Sequence, residues 1–111
     1  MFGFGGGGGV KTLSPAEVHD LVAAGSVHLV DVREDNEWAG ARIAGATHAP
    51  LSRLAEEAAS LPTDKPVVFY CAGGVRSAKA IGLVRKLGLP HDTHMGGGIS
   101  AWAQLGLPIE R

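Results

Sequence analysis

The chain has 111 residues, 45% of them hydrophobic, a single cysteine and a formal net charge of −1. That length suits one buried core and not two, and the near-neutral balance offers no basic field for nucleic acid, so any bound anion must be held locally. One cysteine excludes an internal disulfide, and no segment reads as a signal peptide or a spanning helix; the expectation is a reducing, cytoplasmic setting with no membrane partner.

In chain order, residues 1–9 ("MFGFGGGGG") read as a flexible Gly-rich leader, because each glycine loses much backbone freedom on ordering. Residues 10–111 are expected to form one domain. The first helix has a marked start and stop: Ser14 as N-cap, Pro15 at the first position, Glu17 three residues after the cap and Gly25 past the end. The apolar run 27–34 ("VHLVDVRE") predicts a buried strand with Asp31, Arg33 and Glu34 at the rim. Residues 34–40 follow as a short helical turn, 41–50 as a turn and short strand, and 51–61 as an amphipathic helix closed by Pro62. Residues 65–70 ("KPVVFY") predict a second buried strand, 77–88 a long helix, 91–95 a last strand and 99–106 a closing helix. Strands alternating with helices require crossover connections, so the fold class is α/β: a small, mainly parallel sheet with helices on both faces.

The lone thiol stands where the second strand ends, in "YCAGGVRS". Ligands of open α/β sheets collect beyond the carboxyl ends of the strands, where helix N-termini present unpaired N–H groups. Gly73 and Gly74 let the backbone turn its amides inward as an anion nest, Arg76 adds a fixed positive charge, and Ser77 is placed to cap the next helix. Each feature favours the thiolate, whose pKa in such surroundings falls from ~8.5 to roughly 3.5–7.5. Cys71 is therefore the candidate nucleophile, with Ala72, Gly73, Gly74, Val75, Arg76 and Ser77 as its anion cradle. The competing reading is a small buried hydrophobe beside an ordinary glycine turn.

The same loop resembles the active loop of the rhodanese-like sulfurtransferases. "LVDVRE" at 29–34, "EWAGARIAGATHAPL" at 37–51, "KPVVFYCAGGVRSAKA" at 65–80 and "MGGGISAWAQLGLPIE" at 95–110 stand in that family's order and spacing. The resemblance implies a sulfurtransferase of the single-domain type that works by double displacement. Cys71 takes a sulfane sulfur from a small donor such as thiosulfate and passes it to cyanide or a thiol, with no metal or organic cofactor. A persulfide carrier or regulatory module, whose acceptor is a protein thiol, is the alternative. A phosphatase is disfavoured by loop length, since related phosphate-ester hydrolases carry CxxxxxR and this chain has CxxxxR.

Asp31 matches a family aspartate that braces the active loop, and the expectation is that Asp31 or Glu37 bonds to Arg76 or to loop amides. For Arg33 and Glu34, a surface ion pair of little energetic consequence is an equal expectation. Trp38 and Trp102 read as structural, Trp102 packing the last helix onto the core. Gly97 and Gly98 match the family's turn near the site. His91 and His94 have a spacing that invites a metal, but no Cys or acidic companion completes a ligand set, so no metal is expected.

Overall fold

The computed structural model describes residues 9–111, so the leader expected over residues 1–9 lies, except for Gly9, outside the described residues. Five strands form the sheet: β1 (Lys11–Leu13), β2 (His28–Asp31), β3 (Thr47–His48), β4 (Val67–Tyr70) and β5 (Thr93–Met95). Their order is β1-β5-β4-β2-β3 and every paired neighbour is parallel. The helices are α1 (Pro15–Ala23), α2 (Asp35–Gly40), α3 (Leu54–Glu57), α4 (Val75–Lys86) and α5 (Gly98–Gln104).

Local sequence explains the first helix. Ser14 accepts the Glu17 amide at 3.1 Å, while the Glu17 carboxylate accepts the Ser14 amide at 2.9 Å, so two of the orphan N–H groups at the helix start are satisfied reciprocally. Residues 51–61 differ from the expected continuous helix. A 3-10 turn at Leu51–Arg53, the single α turn of α3 and a second 3-10 turn at Ala58–Ser60 replace it. The apolar period survives, with Leu54, Ala58 and Leu61 buried. The segment is bounded by Pro50 and Pro62.

β4 is the central strand, buried along its whole length. Its side chains alternate as the pleat requires. Val67, Phe69 and then Cys71 face a core shared with Leu54 of α3 and with Ala80, Ile81 and Val84 of α4. Val68 and Tyr70 face the opposite core with Val18 of α1 and Trp102 of α5. Helices therefore cover both faces, as the alternation of elements predicts. Each fully buried aliphatic or aromatic side chain contributes about 1.5–3 kcal/mol, so these two cores hold the sheet and fix where β4 ends. Trp102 is buried as expected and its indole N–H donates to the Pro108 carbonyl at 2.8 Å. No helix among the described residues is long and apolar enough to cross a membrane.

Candidate active site

Cys71 is the first residue past β4, and α4 starts four residues later. Gly74 is the N-cap of α4 at φ 110°, a left-handed conformation that turns its amide back toward the strand. That amide donates to Cys71 Sγ at 3.0 Å, and the Ser77 amide donates to the same sulfur at 3.4 Å. The Ser77 hydroxyl oxygen lies 3.6 Å from the sulfur. Burial pushes the Cys71 thiol up, since the residue is 1% exposed. Hydrogen bonds from the Ser77 hydroxyl and from the Ser77, Gly74 and Gly73 amides outweigh that and hold it below the ordinary thiol range.

Of the six residues expected in the cradle, Gly74 and Ser77 donate amides to the sulfur and Gly73 adds a third backbone contact. Ala72 offers its carbonyl to the Ser100 amide at 3.1 Å and Val75 is 68% exposed at the rim. Ser77 does not cap α4. It is the third helical residue, fully buried, with its hydroxyl within 3.1 Å of the Gly74 carbonyl oxygen and 2.7 Å of His94 Nδ1.

Arg76 is engaged by a carboxylate of α2. Its two terminal nitrogens donate to Glu37 of α2 at 2.6 and 2.8 Å, a two-pronged pair that ties the start of α4 to α2. These bonds hold the Glu37 carboxyl down to about 2. They also raise the Arg76 pKa, with attraction to Cys71 a lesser contribution. Between the two carboxylates expected near the loop, Glu37 is the one that meets Arg76.

Asp31 does other work. Both its oxygens accept from Arg33, whose Nη2 donates to Asp31 Oδ2 at 2.8 Å and to the Ala41 carbonyl at 2.6 Å. Asp31 is fully buried and Arg33 is 6% exposed, so the surface pair expected for Arg33 is in fact an internal one. Its position one strand from β4, over the Tyr70 ring at 5.8 Å, takes it out of solvent. Glu34 engages the Ser52 hydroxyl, which donates to it at 2.6 Å, rather than a cation. Trp38 stacks on His48 with ring centroids 4.6 Å apart.

His94 takes a place that the sequence does not reveal, and Gly98 takes the one expected of it, at a turn beside the site. The spacing of His91 and His94 suggests only a metal pair, whereas the His94 ring stands behind Ser77; the sequence signal for that place is a polar residue inside a short apolar strand. Gly98, at φ 58°, opens α5 directly against the loop. A Cβ there would lie 2.4 Å from the Cys71 and Ala72 carbonyl oxygens, and the next two amides, of Ile99 and Ser100, donate to those carbonyls at 2.9 and 3.1 Å. α5 thus anchors the outer side of the loop whose inner side faces the sulfur. Among the described residues no group of three or more His, Cys, Asp or Glu is gathered to hold a metal ion.

A parallel α/β sheet whose central strand presents one thiol to a ring of amides defines a class of cysteine-loop proteins. Residues 14–105 match the model of the Rhodanese-like domain, and the chain belongs to that family. It is 42% identical over 97 residues to the probable adenylyltransferase/sulfurtransferase MoeZ of Mycobacterium tuberculosis, covering 85% of this chain and 25% of that one. The chain therefore spans a quarter of that relative's length. It is 30% identical over 110 residues to human thiosulfate:glutathione sulfurtransferase, covering 86% of this chain and 96% of the relative. Among solved structures, a rhodanese-related protein from Thermoplasma volcanium superposes with a TM-score of 0.80 at 31% identity, over 90% of this chain and 97% of that one.

Proposed function

We propose that the chain is a sulfurtransferase that carries a sulfane sulfur as a persulfide on Cys71. The observation that carries this reading is the convergence of the Gly74 and Ser77 amides on Sγ at 3.0 and 3.4 Å. Donors fixed in the backbone stabilise a sulfur anion without reorganising, which serves both the attacking thiolate and the terminal sulfur of the persulfide.

In the first half-reaction the Cys71 thiolate attacks the outer sulfur of thiosulfate. A new S–S bond forms to Sγ, the bond to the sulfonate sulfur breaks, and its electron pair leaves with sulfite. In the second, an acceptor attacks the terminal sulfur and the Cys71 thiolate departs with the electron pair of the S–S bond. Cyanide yields thiocyanate; a thiol RSH gives up its proton to the persulfide product RSSH. The relative named for thiosulfate and glutathione supports a small-thiol acceptor. Gly73, Gly74 and Ser77 hold the charge, Arg76 and Glu37 fix the loop's position, and Asp31 and Arg33 stiffen the neighbouring strand end.

Intact-mass measurement after exposure to thiosulfate tests the reading. Wild type gains one sulfur atom, a small thiol discharges it, and Cys71→Ser gains none. Unmodified wild type overturns the assignment. A persulfide that forms but resists small thiols and cyanide makes a protein thiol the acceptor and the chain a carrier.

A further inference from the structure

Behind the sulfur lies a line of groups whose hydrogen bonds can run in either direction. Cys71 Sγ is 3.6 Å from Ser77 Oγ, Ser77 Oγ is 2.7 Å from His94 Nδ1, and His94 Nε2 is 3.1 Å from Thr12 Oγ1. Cys71, Ser77 and His94 are buried, while Thr12, on the edge strand β1, is exposed. The register of β5 with β1 places Thr12 directly opposite His94, and on the other side β4 presents Phe69. The polar groups that face the ring are therefore Ser77 from α4 and Thr12 from β1. Burial lowers the His94 pKa and so favours the neutral ring, which carries one N–H.

With that proton on Nε2, the ring donates to Thr12, and its bare Nδ1 accepts the Ser77 hydroxyl proton. Ser77 then offers the sulfur only a lone pair, which suits the protonated thiol. With the proton on Nδ1, the ring donates to Ser77 Oγ and accepts from Thr12. The single hydrogen of Ser77 is then free to point at the sulfur, which suits the thiolate. The Gly74 carbonyl, 3.1 Å from Ser77 Oγ, is a second acceptor for that hydrogen in either arrangement, and the ionised sulfur is the stronger one.

We propose that His94 is a positioning residue for the sulfur chemistry, its tautomer aiming the Ser77 hydroxyl either at the ring or at Cys71. This rests on Cys71 being the sulfur-carrying group. The proton balance closes along the same line. The thiol proton moves to Ser77 Oγ, the Ser77 proton to His94 Nδ1, the Nε2 proton to Thr12 Oγ1 and the Thr12 proton to water. One proton leaves the sulfur, each intermediate group keeps its count, and the line ends in the arrangement that stabilises the thiolate.

Two measurements test it. Nitrogen NMR of the His94 ring across the Cys71 titration is expected to show a neutral imidazole that changes from the Nε2–H to the Nδ1–H form as the thiol ionises, and no change in Cys71→Ser. The pH profile of iodoacetamide alkylation supplies the second readout. His94→Leu leaves nothing to donate to Ser77 and slows alkylation at pH 7 by roughly tenfold, the worth of one lost charge-assisted contact, whereas His94→Asn, with an amide where Nδ1 stood, recovers most of the rate. A ring that keeps one tautomer through the titration overturns the proposal, as does a folded His94→Leu with the wild-type profile or an Asn variant no better than Leu. Sulfur loading of wild type by mass separates the two readings: loading with an unmoved histidine removes only the role of His94, and a histidine that switches in a protein that never loads sulfur removes only the sulfurtransferase.

Discussion

Glu37 and Arg76, 39 residues apart in the chain, meet through two hydrogen bonds of 2.6 and 2.8 Å, and this pair is the only ion pair among the described residues that includes a residue of the cysteine loop. Both side chains are about one-third exposed, so the pair adds little to global stability; what it fixes is the entry of α4 and with it the direction of the Ser77 amide. Removing either partner therefore has the same consequence. Arg76→Ala and Glu37→Ala are each expected to slow thiosulfate loading several-fold at neutral pH. The double variant is no slower than either, corresponding to a coupling of about 1 kcal/mol. Additive losses would show that the two side chains act separately.

The same pair gives stability a small pH-dependent part. Glu37 titrates at about 2 in the folded protein against an ordinary 4.5. A depressed folded value means that the contribution is complete above pH 4.5 and drains away as pH falls toward 2. Thermal melting of wild type and Glu37→Gln should differ at neutral pH and converge across that window. A gap that stays constant down to pH 2 would contradict the assignment.

Gly98 is predicted to be intolerant of any side chain. The left-handed backbone and the overlap of a Cβ with the Cys71 and Ala72 carbonyls each cost about 1–3 kcal/mol, so Gly98→Ala should lose roughly 2–6 kcal/mol in denaturant unfolding. Because the carbonyls it strikes belong to the loop, thiosulfate loading is lost with it, even below the melting temperature.

Much of this was legible because it is local. The Ser14–Glu17 cap closes over three residues, and the strand-to-helix loop around Cys71 is written in seven consecutive ones. The sequence favours Asp31 over Glu37 as the loop's carboxylate, because finding Glu37 requires knowing that α2 passes over the start of α4 while Asp31 stays inside the sheet. His94 was opaque for the same reason: its partners lie 17 and 82 residues away, joined only when β5 inserts between β1 and β4. β1 went unread since three residues on an edge carry no period to detect.

Asp31 and Arg33 offer a contrast with the loop. Deleting the carboxylate in Asp31→Ala strands a buried guanidinium, which is expected to cost about 3–5 kcal/mol in equilibrium unfolding. Neither residue contacts the sulfur, so the thiol of the folded variant keeps the wild-type alkylation profile. A shifted profile would place Asp31 in the loop's own network.

The account depends most on the ionisation of one sulfur atom. Ultraviolet absorbance of the thiolate, followed against pH in wild type with Cys71→Ser as the blank, measures it directly. Half-ionisation below the ordinary ~8.5 of a free thiol is the result the amides of Gly74 and Ser77 predict. Half-ionisation at or above that value would mean that burial prevails over the loop's donors, and a thiol of that kind would not carry sulfur at neutral pH.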